Sequence, residues 1–403
     1  MSSPLPATVL ATDSNRGSAQ QISEYMADCR TLVLEQIETM VPRGRRLRPI
    51  LYDLMLDYPL REAKALRPAL CIATCRALGG SLEGVLQSAA VLELYHNAFL
   101  IHDDVEDDSE KRRDQPTLHR AHGVPIAVNV GDAMLALALA PLFDNMRLVG
   151  LGKALRILKA ISEMARHTAE GQALELSWIR AERWQLSNTD YLRMVQKKTS
   201  WYTFITPVVI GGLVAGANDA QLSLLRRFAG AVGSAFQIQD DVLNLSADEG
   251  RYGKEINGDL WEGKRTLILL HALRHANPRD LERALSILAK PRPSSSSEPT
   301  GSSFDQLLSQ LADAGELSAS ALASLRAERQ RNVQALDTKT EGDIAFLASL
   351  VAEHRSLAYA RDIAQRRAAR ASHMLRELCA VMPASVHRDF LISIVDFVVQ
   401  RDH

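Results

Sequence analysis

The stretch DAQLSLLRRFAGAVGSAFQIQDDVLNL, residues 219–245, combines an apolar stripe with two adjacent carboxylates. Its apolar residues recur at intervals of three and four with one turn skipped, which is the spacing of a helix face rather than the alternation of a strand. The stripe consists of Leu222, Leu225, Ala229, Val232, Phe236 and Leu243. A second face carries the polar residues Gln237, Asp240, Asp241 and Asn244. The stretch therefore predicts a long helix with oxygen ligands at its carboxyl end.

Similar stripes predict helices through most of the chain, at 20–40, 65–78, 82–107, 124–144, 151–180, 263–289 and 354–401. Glycine or proline falls where helices should end, as at Gly123, Gly150 and Asn277-Pro278. No GxGxxG follows a strand pattern, which argues against a nucleotide-binding α/β fold. We expect an all-α protein with an N-terminal extension, 1–40, and one domain, 41–403. The segment KPRPSSSSEPTGSS predicts a flexible insertion near 290–304.

Composition restricts the function classes. The 403 residues are 46% hydrophobic, enough for a large core, and 47 basic against 48 acidic residues give a net charge of −1. That balance argues against binding to nucleic acid. Of the four cysteines only Cys71 and Cys75 are close enough to share a helix face, so we expect reduced core thiols. The amino end lacks a signal pattern and each apolar run is too short to span a bilayer, which predicts a cytoplasmic protein.

A second carboxylate cluster lies in LIHDDVEDDSEKRRDQPTLH, residues 100–119. His96, Asp103 and Asp107 share one helix face, and Asp104 lies beside them. Carboxylates about 5–6 Å apart between β-carbons repel one another unless a cation lies among them. Hard oxygen ligands of this kind suit Mg²⁺, which tends to bridge protein carboxylates to phosphate oxygens. The alternative is a solvated acidic helix end.

The two acidic clusters are 137 positions apart, counted as 240 − 103, and each follows an apolar helix. We expect their helices to face each other across a cavity, where metal ions would bind a diphosphate. Basic and hydroxyl side chains that could hold phosphate occur near both clusters. They are Lys64, Arg67, Arg112, Arg113, Lys197, Lys198, Thr199, Lys254 and Lys264.

Six segments in this order resemble the trans-isoprenyl diphosphate synthases, or polyprenyl synthetases. They are KALRP (64–68), HNAFLIHDDVEDDSEKRR (96–113), GQALEL (171–176), KTS (198–200), FQIQDDVLNL (236–245) and YGKEINGDLWEGKRT (252–266). The resemblance implies antiparallel helices around a deep central cavity, a homodimer and three Mg²⁺ ions. It also implies condensation of isopentenyl diphosphate with an allylic diphosphate: dimethylallyl, geranyl or farnesyl.

The resemblance further implies roles for individual residues. Asp103, Asp107 and Asp240 would bind the metal ions, supported by Asp104 and Asp241. The allylic diphosphate would be held by Arg112, Lys198, Thr199, Gln237 and Lys254, and Lys264 would also bind substrate. Isopentenyl diphosphate would be held by Lys64, Arg67, His96 and Arg113. A similar RRLRP at 45–49 is the poorer match, because the later copy has the family's distance to His96.

The sequence departs from the family pattern in three places. Asn244 stands where many members have aspartate and was expected to keep a neutral oxygen ligand; Glu175 also replaces a common aspartate. Lys64 lacks the usual preceding glycine. None of these changes removes a charge that the diphosphate clamp needs.

Product length depends on the depth of the pocket beneath Asp103. Phe99 and Ala98 precede Asp103 by four and five residues, about one helical turn. With the two acidic patterns, they favour a twenty-carbon product, geranylgeranyl diphosphate; fifteen, or twenty-five and more, carbons are alternatives. A class I terpene cyclase is a second hypothesis, although it would not need the basic set for a second diphosphate. A non-catalytic subunit of a heteromeric synthase is a third, although such a subunit should have lost part of an acidic cluster.

Overall fold

A computed structural model of the protein describes residues 18–42, 44, 46–246, 256–293, 308–312, 314, 316–334 and 338–400. Within these residues the regular secondary structure is helical except for one two-stranded hairpin, β1 (Lys111–Arg112) and β2 (Gln115–Pro116). The predicted all-α class is confirmed. Most of the predicted insertion near 290–304 lies outside the described residues.

The helices before residue 180 are α1 (Ser18–Met40), α2 (Asp53–Leu60), α3 (Leu66–Ala77), α4 (Leu82–Glu106), α5 (Leu118–His122), α6 (Val124–Leu137), α7 (Leu139–Asp144), α8 (Met146–Val149) and α9 (Leu151–Arg180). Those after it are α10 (Asn188–Val195), α11 (Thr206–Ala215), α12 (Asp219–Ser246), α13 (Gly258–Glu262), α14 (Leu267–His275), α15 (Pro278–Ala289), α16 (Ala319–Gln334), α17 (Glu341–Glu353), α18 (Ser356–Cys379) and α19 (Val386–Gln400). Two π-helical segments, Arg48–Tyr52 and Gln196–Ile205, precede α2 and α11.

Local chemistry explains where helices begin and end. Ser81 accepts the Gly84 N–H at 3.1 Å and so starts α4. The apolar stripe over 263–289 forms two helices that are separated at the predicted stop, because Asn277 caps α15 by accepting the Asp280 N–H at 3.0 Å and Pro278 follows it. The stretch 354–401, for which no internal stop was predicted, also forms two helices. α18 ends at Cys379, and Pro383, which cannot donate a backbone hydrogen bond, lies in the break before α19.

Helix α12 connects two apolar clusters. Its first half, with Leu225 and Val232, packs in the larger cluster with α1, α3, α4 and α11. Its second half, with Ile238 and Val242, packs with α10, α14, α15 and α17. The predicted stripe on α12 is buried, apart from the partly buried Phe236. The carboxyl end of α12 is thus fixed by apolar contacts on both sides.

Helices α6 to α9 leave several large apolar side chains exposed. The exposed fractions include 51% for Phe143, 61% for Leu151 and 54% for Leu155. Residues Val124–Val149 together are also long and apolar enough to cross a membrane, with a mean hydropathy of 1.8, although each apolar run alone is too short. A core helix of a soluble protein passes the same test. We call the exposed side chains of 124–155 the apolar face.

Candidate active site

The end of α4 directs one aspartate outward and buries the next. Asp104 is fully buried, accepting the Tyr58 hydroxyl at 2.6 Å and the Arg112 Nε–H at 3.0 Å. The side chain of Asp103 keeps 30% of its exposure. Burial and the Asp103 carboxylate raise the pKa of Asp107 to about 7. The end of α4 is therefore an acidic surface in which neighbouring carboxylates disfavour each other's charge.

Lys198 joins this acidic surface to α9. Its Nζ lies 3.3 Å from Asp103 Oδ1 and forms a shorter ion pair with Glu175 on α9. Burial alone would lower the pKa of Lys198, but Asp103 and Glu175 hold it above its ordinary value. Burial would likewise raise the pKa of Asp103, whereas Lys198 and Lys264 bring it below its ordinary value. Both groups are consequently charged at neutral pH.

Two glycines allow the Gln196–Ile205 segment to pass close to its neighbours. A β-carbon on Gly171 of α9 would lie 2.6 Å from the Lys198 Cα, and one on Gly233 of α12 would lie 2.8 Å from the Ser200 Cβ. Both distances are too short for a real side chain, so these positions need glycine. π-Helical turns are rare and frequently occur at functional sites. This one carries Lys198 and Thr199.

The second acidic cluster repeats the arrangement of the first. Asp241 on α12 is buried and accepts the Tyr191 hydroxyl at 2.6 Å and the Gln237 Nε2–H at 2.8 Å. Gln237 in turn accepts the Thr199 hydroxyl at 2.9 Å. Asp240 is partly exposed. A hydrogen-bond chain therefore connects the second cluster to the segment that carries Lys198.

Asn244 has a structural contact that the sequence did not predict. Its Oδ1 accepts the backbone N–H of Asp259 at 3.0 Å, and its carbonyl accepts the Asn257 N–H at 2.9 Å. These bonds hold the start of α13 against α12. That Asn244 also supplies a neutral metal ligand stays a prediction.

Lys264 brings the two clusters together. Its Nζ lies 2.8 Å from Glu262 Oε2 and 3.8 Å from Asp259 Oδ1. Burial would lower the pKa of Lys264, but Asp259, Glu262 and the more distant Asp107 raise it. Burial and Asp259 also raise the pKa of Asp241. Charged groups around Lys264 therefore influence the pKa values of aspartates at the ends of both α4 and α12.

Arg67, His96 and Arg113 form a second basic group, next to the π-helical segment that carries Lys198. Arg67 Nη2 donates to Thr203 Oγ1 at 2.9 Å, and its guanidinium lies 4.6 Å from the Tyr202 ring centre. The His96 ring stacks on the same tyrosine at 5.8 Å. Burial, Arg67 and Arg113 lower the pKa of His96 well below its ordinary value, so His96 is neutral. Among the described residues, buried His96 Nδ1 and Arg67 Nε have no hydrogen-bond partner.

The structure brings some of the predicted basic residues together and places others elsewhere. Arg48 of the earlier RRLRP copy is half exposed and pairs with Asp53, whereas Arg67 lies beside His96, which supports the choice of the later copy. Lys197 binds Glu170 away from the acidic cluster. Lys64 precedes α3, and Lys254 lies outside the described residues.

Sequence reasoning missed several residues that the fold adds to the site. Glu175 and Asp259 stood within the recognised segments, and their acidic character was the available signal. Tyr58 and Tyr191 contact aspartates 46 and 50 positions away and carry no local pattern. Gln172 on α9 donates to Asp103 at 3.3 Å.

The donor atoms suit a hard divalent cation. Asp103, Asp107 and Asp240 offer only carboxylate oxygens, which favours Mg²⁺ over zinc. Among the described residues no three histidine, cysteine, aspartate or glutamate side chains surround one point. Mg²⁺ is usually held by one or two carboxylates together with water and substrate phosphates.

Sequence comparison places the chain in a known family. Residues 48–299 match the polyprenyl synthetase family. The chain belongs to this family, whose members are trans-prenyltransferases. It is 34% identical over 254 residues to a short chain isoprenyl diphosphate synthase of Methanocaldococcus jannaschii, which covers 63% of this chain and 74% of that one. It is 33% identical over 260 residues to the octaprenyl diphosphate synthase of Escherichia coli, with 64% and 75% covered.

The fold comparison agrees. The crystal structure of a geranylgeranyl pyrophosphate synthetase from Pyrococcus horikoshii superposes with a TM-score of 0.76 at 26% identity, covering 96% of this chain and all of that one. The relatives named for short-chain and octaprenyl products are almost equally similar to this polyprenyl synthetase. Overall identity therefore does not determine product length.

Gly171→Ala should displace Lys198, because the added methyl group meets its backbone. A shift of about 1 Å in a positioned group can lower kcat/KM roughly a hundredfold. We expect a loss of that order for prenyl transfer, with the helical circular dichroism spectrum retained. Gly230→Ala is the matched control, since its β-carbon would lie an ordinary 3.7 Å from Ile205 Cδ1. Equal activity in the two variants would contradict the close-approach explanation.

Proposed function

We propose that this polyprenyl synthetase condenses isopentenyl diphosphate with an allylic diphosphate in a Mg²⁺-dependent reaction. The observation that carries the proposal is the convergence of three elements: Lys198 pairs with Asp103 of α4, and its neighbour Thr199 is hydrogen-bonded through Gln237 to Asp241 of α12. Carboxylates beside fixed cations suit a metal-bound diphosphate.

The first diphosphate would lie between the two acidic helix ends. Asp103, Asp107 and Asp240 would hold Mg²⁺, which supplies charge neutralisation for the departing diphosphate. Lys198, Thr199, Gln237, Arg112 and Lys264 would contact its other side. Lys254, which lies outside the described residues, is proposed for the same role. Arg112 is oriented for this role by its bond to Asp104.

The second diphosphate would lie on the Arg67, His96 and Arg113 group, with Lys64. Two guanidinium groups and a neutral histidine with an unpartnered nitrogen are suited to an anion. This second basic group favours chain elongation over terpene cyclisation, because a cyclase binds a single diphosphate. The presence of both acidic clusters favours a catalytic chain over a non-catalytic subunit.

The chemistry needs no protein nucleophile. The carbon–oxygen bond of the allylic diphosphate breaks, and its electron pair leaves with the diphosphate. The double bond of isopentenyl diphosphate then attacks the allylic cation, forming one carbon–carbon bond. A proton lost from the condensed product, taken up by the released diphosphate, restores the double bond. The side chains bind, orient and neutralise charge.

Phe99 is the residue best placed to limit product length. Ala98 is completely buried, whereas Phe99 is partly exposed and touches Tyr95 and Tyr202 edge-on at 5.9 and 5.7 Å. Phe99 lies one helical turn before Asp103, on the path of a growing prenyl tail. A twenty-carbon product remains our proposal.

Asp103→Asn and Asp240→Asn should each lower kcat/KM about a hundredfold or more, because each removes a charge that neutralises the diphosphate. The measurement is product formation from isopentenyl and farnesyl diphosphates with Mg²⁺, and with the metal chelated. Asp108→Asn is the control, since Asp108 is exposed and pairs with Arg120 at 2.8 Å. Near-normal turnover of Asp103→Asn would refute the assigned role.

Phe99→Ala should lengthen the main product by at least one five-carbon unit, because it removes a ring from the expected floor of the pocket. Mass spectrometry of the products from each allylic primer measures the change. Val105→Ala, on the same helix past Asp103, is the control. An unchanged length distribution in Phe99→Ala would place the floor elsewhere.

We also propose that the apolar face binds a second copy of the chain. A face of large aliphatic side chains on adjoining helices is typical of a protein interface. Leu155→Lys should reduce the dimer fraction in analytical ultracentrifugation, because it buries an unpaired ammonium. Ile392→Lys, at another exposed apolar residue on α19, is the control. A monomeric wild-type chain at micromolar concentration would exclude this interface.

A further inference from the structure

The hairpin after α4 has an uncommon turn. Lys111 pairs with Pro116 and Arg112 with Gln115, so that Arg113 and Asp114 form a two-residue connection. Their φ angles are +54° and +60°. Two-residue hairpins with both central residues at positive φ usually contain glycine, because side chains are strained there. Neither residue here is glycine, so surrounding contacts must hold the turn.

Arg61 supplies those contacts. Its side chain is only 6% exposed. Nη1 donates to the Arg112 carbonyl and Nη2 to the Pro116 carbonyl, both at 2.9 Å, so that one guanidinium binds both strands. Asp57 neutralises the charge at 2.7 Å. This buried guanidinium is thus paired and hydrogen-bonded, as its burial requires.

The hairpin also donates a hydrogen bond to α2, the helix that ends just before Arg61. Arg113 Nη1 donates to the Tyr58 carbonyl at 2.8 Å, and the Arg61 guanidinium lies 4.5 Å from the Tyr58 ring centre. The end of α2 and the turn are therefore joined from both sides. The direction of the Arg113 side chain depends on this connection.

We infer that Arg61 is a positioning residue that holds the Arg113–Asp114 turn in its strained form, so that Arg113 is preorganised for the second diphosphate. The inference rests on the proposed function for the identity of that ligand. The hydrogen bonds from Arg61 to the two hairpin strands, which we call the clamp, are a property of the fold and do not depend on that ligand. Arg61 also binds the Arg112 carbonyl, but the Arg112 side chain is held separately by Asp104, so we expect the effect on substrate to act through Arg113.

Arg61→Met keeps an unbranched apolar side chain and removes every donor. We expect the KM for isopentenyl diphosphate to rise about tenfold, while the KM for the allylic diphosphate changes less than about twofold. Adding Asp114→Gly should recover most of the loss, because glycine accepts a positive φ without strain. Arg48→Met, at an exposed arginine, should leave both constants unchanged.

Hydrogen–deuterium exchange of residues 109–118 tests the clamp independently of turnover. Arg61→Met should exchange faster there and at the wild-type rate on α12. Unchanged exchange, or an equal rise in both KM values, would overturn the inference. Absence of product from the wild-type chain would instead refute the proposed function, and the exchange result would still decide whether Arg61 holds the turn.

Discussion

The ion pairs of Lys198 are the interaction on which the site depends. Lys198 stands on its own π-helical segment and pairs with Asp103 of α4 and Glu175 of α9. Carboxylates gathered at partly buried helix ends repel one another, and a fixed cation among them offsets part of that cost. Leaving a buried charge unpaired costs about 3–5 kcal/mol, so the three elements are held in one arrangement.

The two acidic clusters have the same hydrogen-bonding arrangement. In each Asp-Asp pair the second aspartate is buried and bound by a tyrosine hydroxyl at 2.6 Å: Asp104 by Tyr58, and Asp241 by Tyr191. A bound carboxylate fixes the rotation of its helix end, and the first aspartate of each pair is left partly exposed. Adjacent aspartates thus divide between a structural and a chemical role.

Sequence spacing could predict the helices that bear charge, because one apolar stripe and one carboxylate pair occur on the same helix. Spacing also favoured the KALRP segment over the earlier RRLRP segment, because the distance along the chain from Arg67 to His96 fits the family. The tyrosines could not be predicted, since their partners are 46 and 50 residues away. The contact of Asn244 with the Asp259 N–H could not be predicted, because an amide oxygen suits a backbone N–H as well as a metal ion. The π-helical segment has no periodicity that distinguishes it from an α-helix.

That segment connects both basic groups. Lys198 and Thr199 contact the acidic clusters, while Tyr202 and Thr203 contact Arg67. One short stretch of backbone therefore sets the distance between the two expected diphosphates, and hence between the carbon atoms that must bond. Gly171 and Gly233 hold this stretch tightly on opposite sides. The hairpin with Arg113 is fixed separately by Arg61, which allows its geometry to change without moving Lys198. The proposed contribution of Arg113 to binding the second diphosphate can thus vary without a change at Lys198, whereas that of Arg67 cannot.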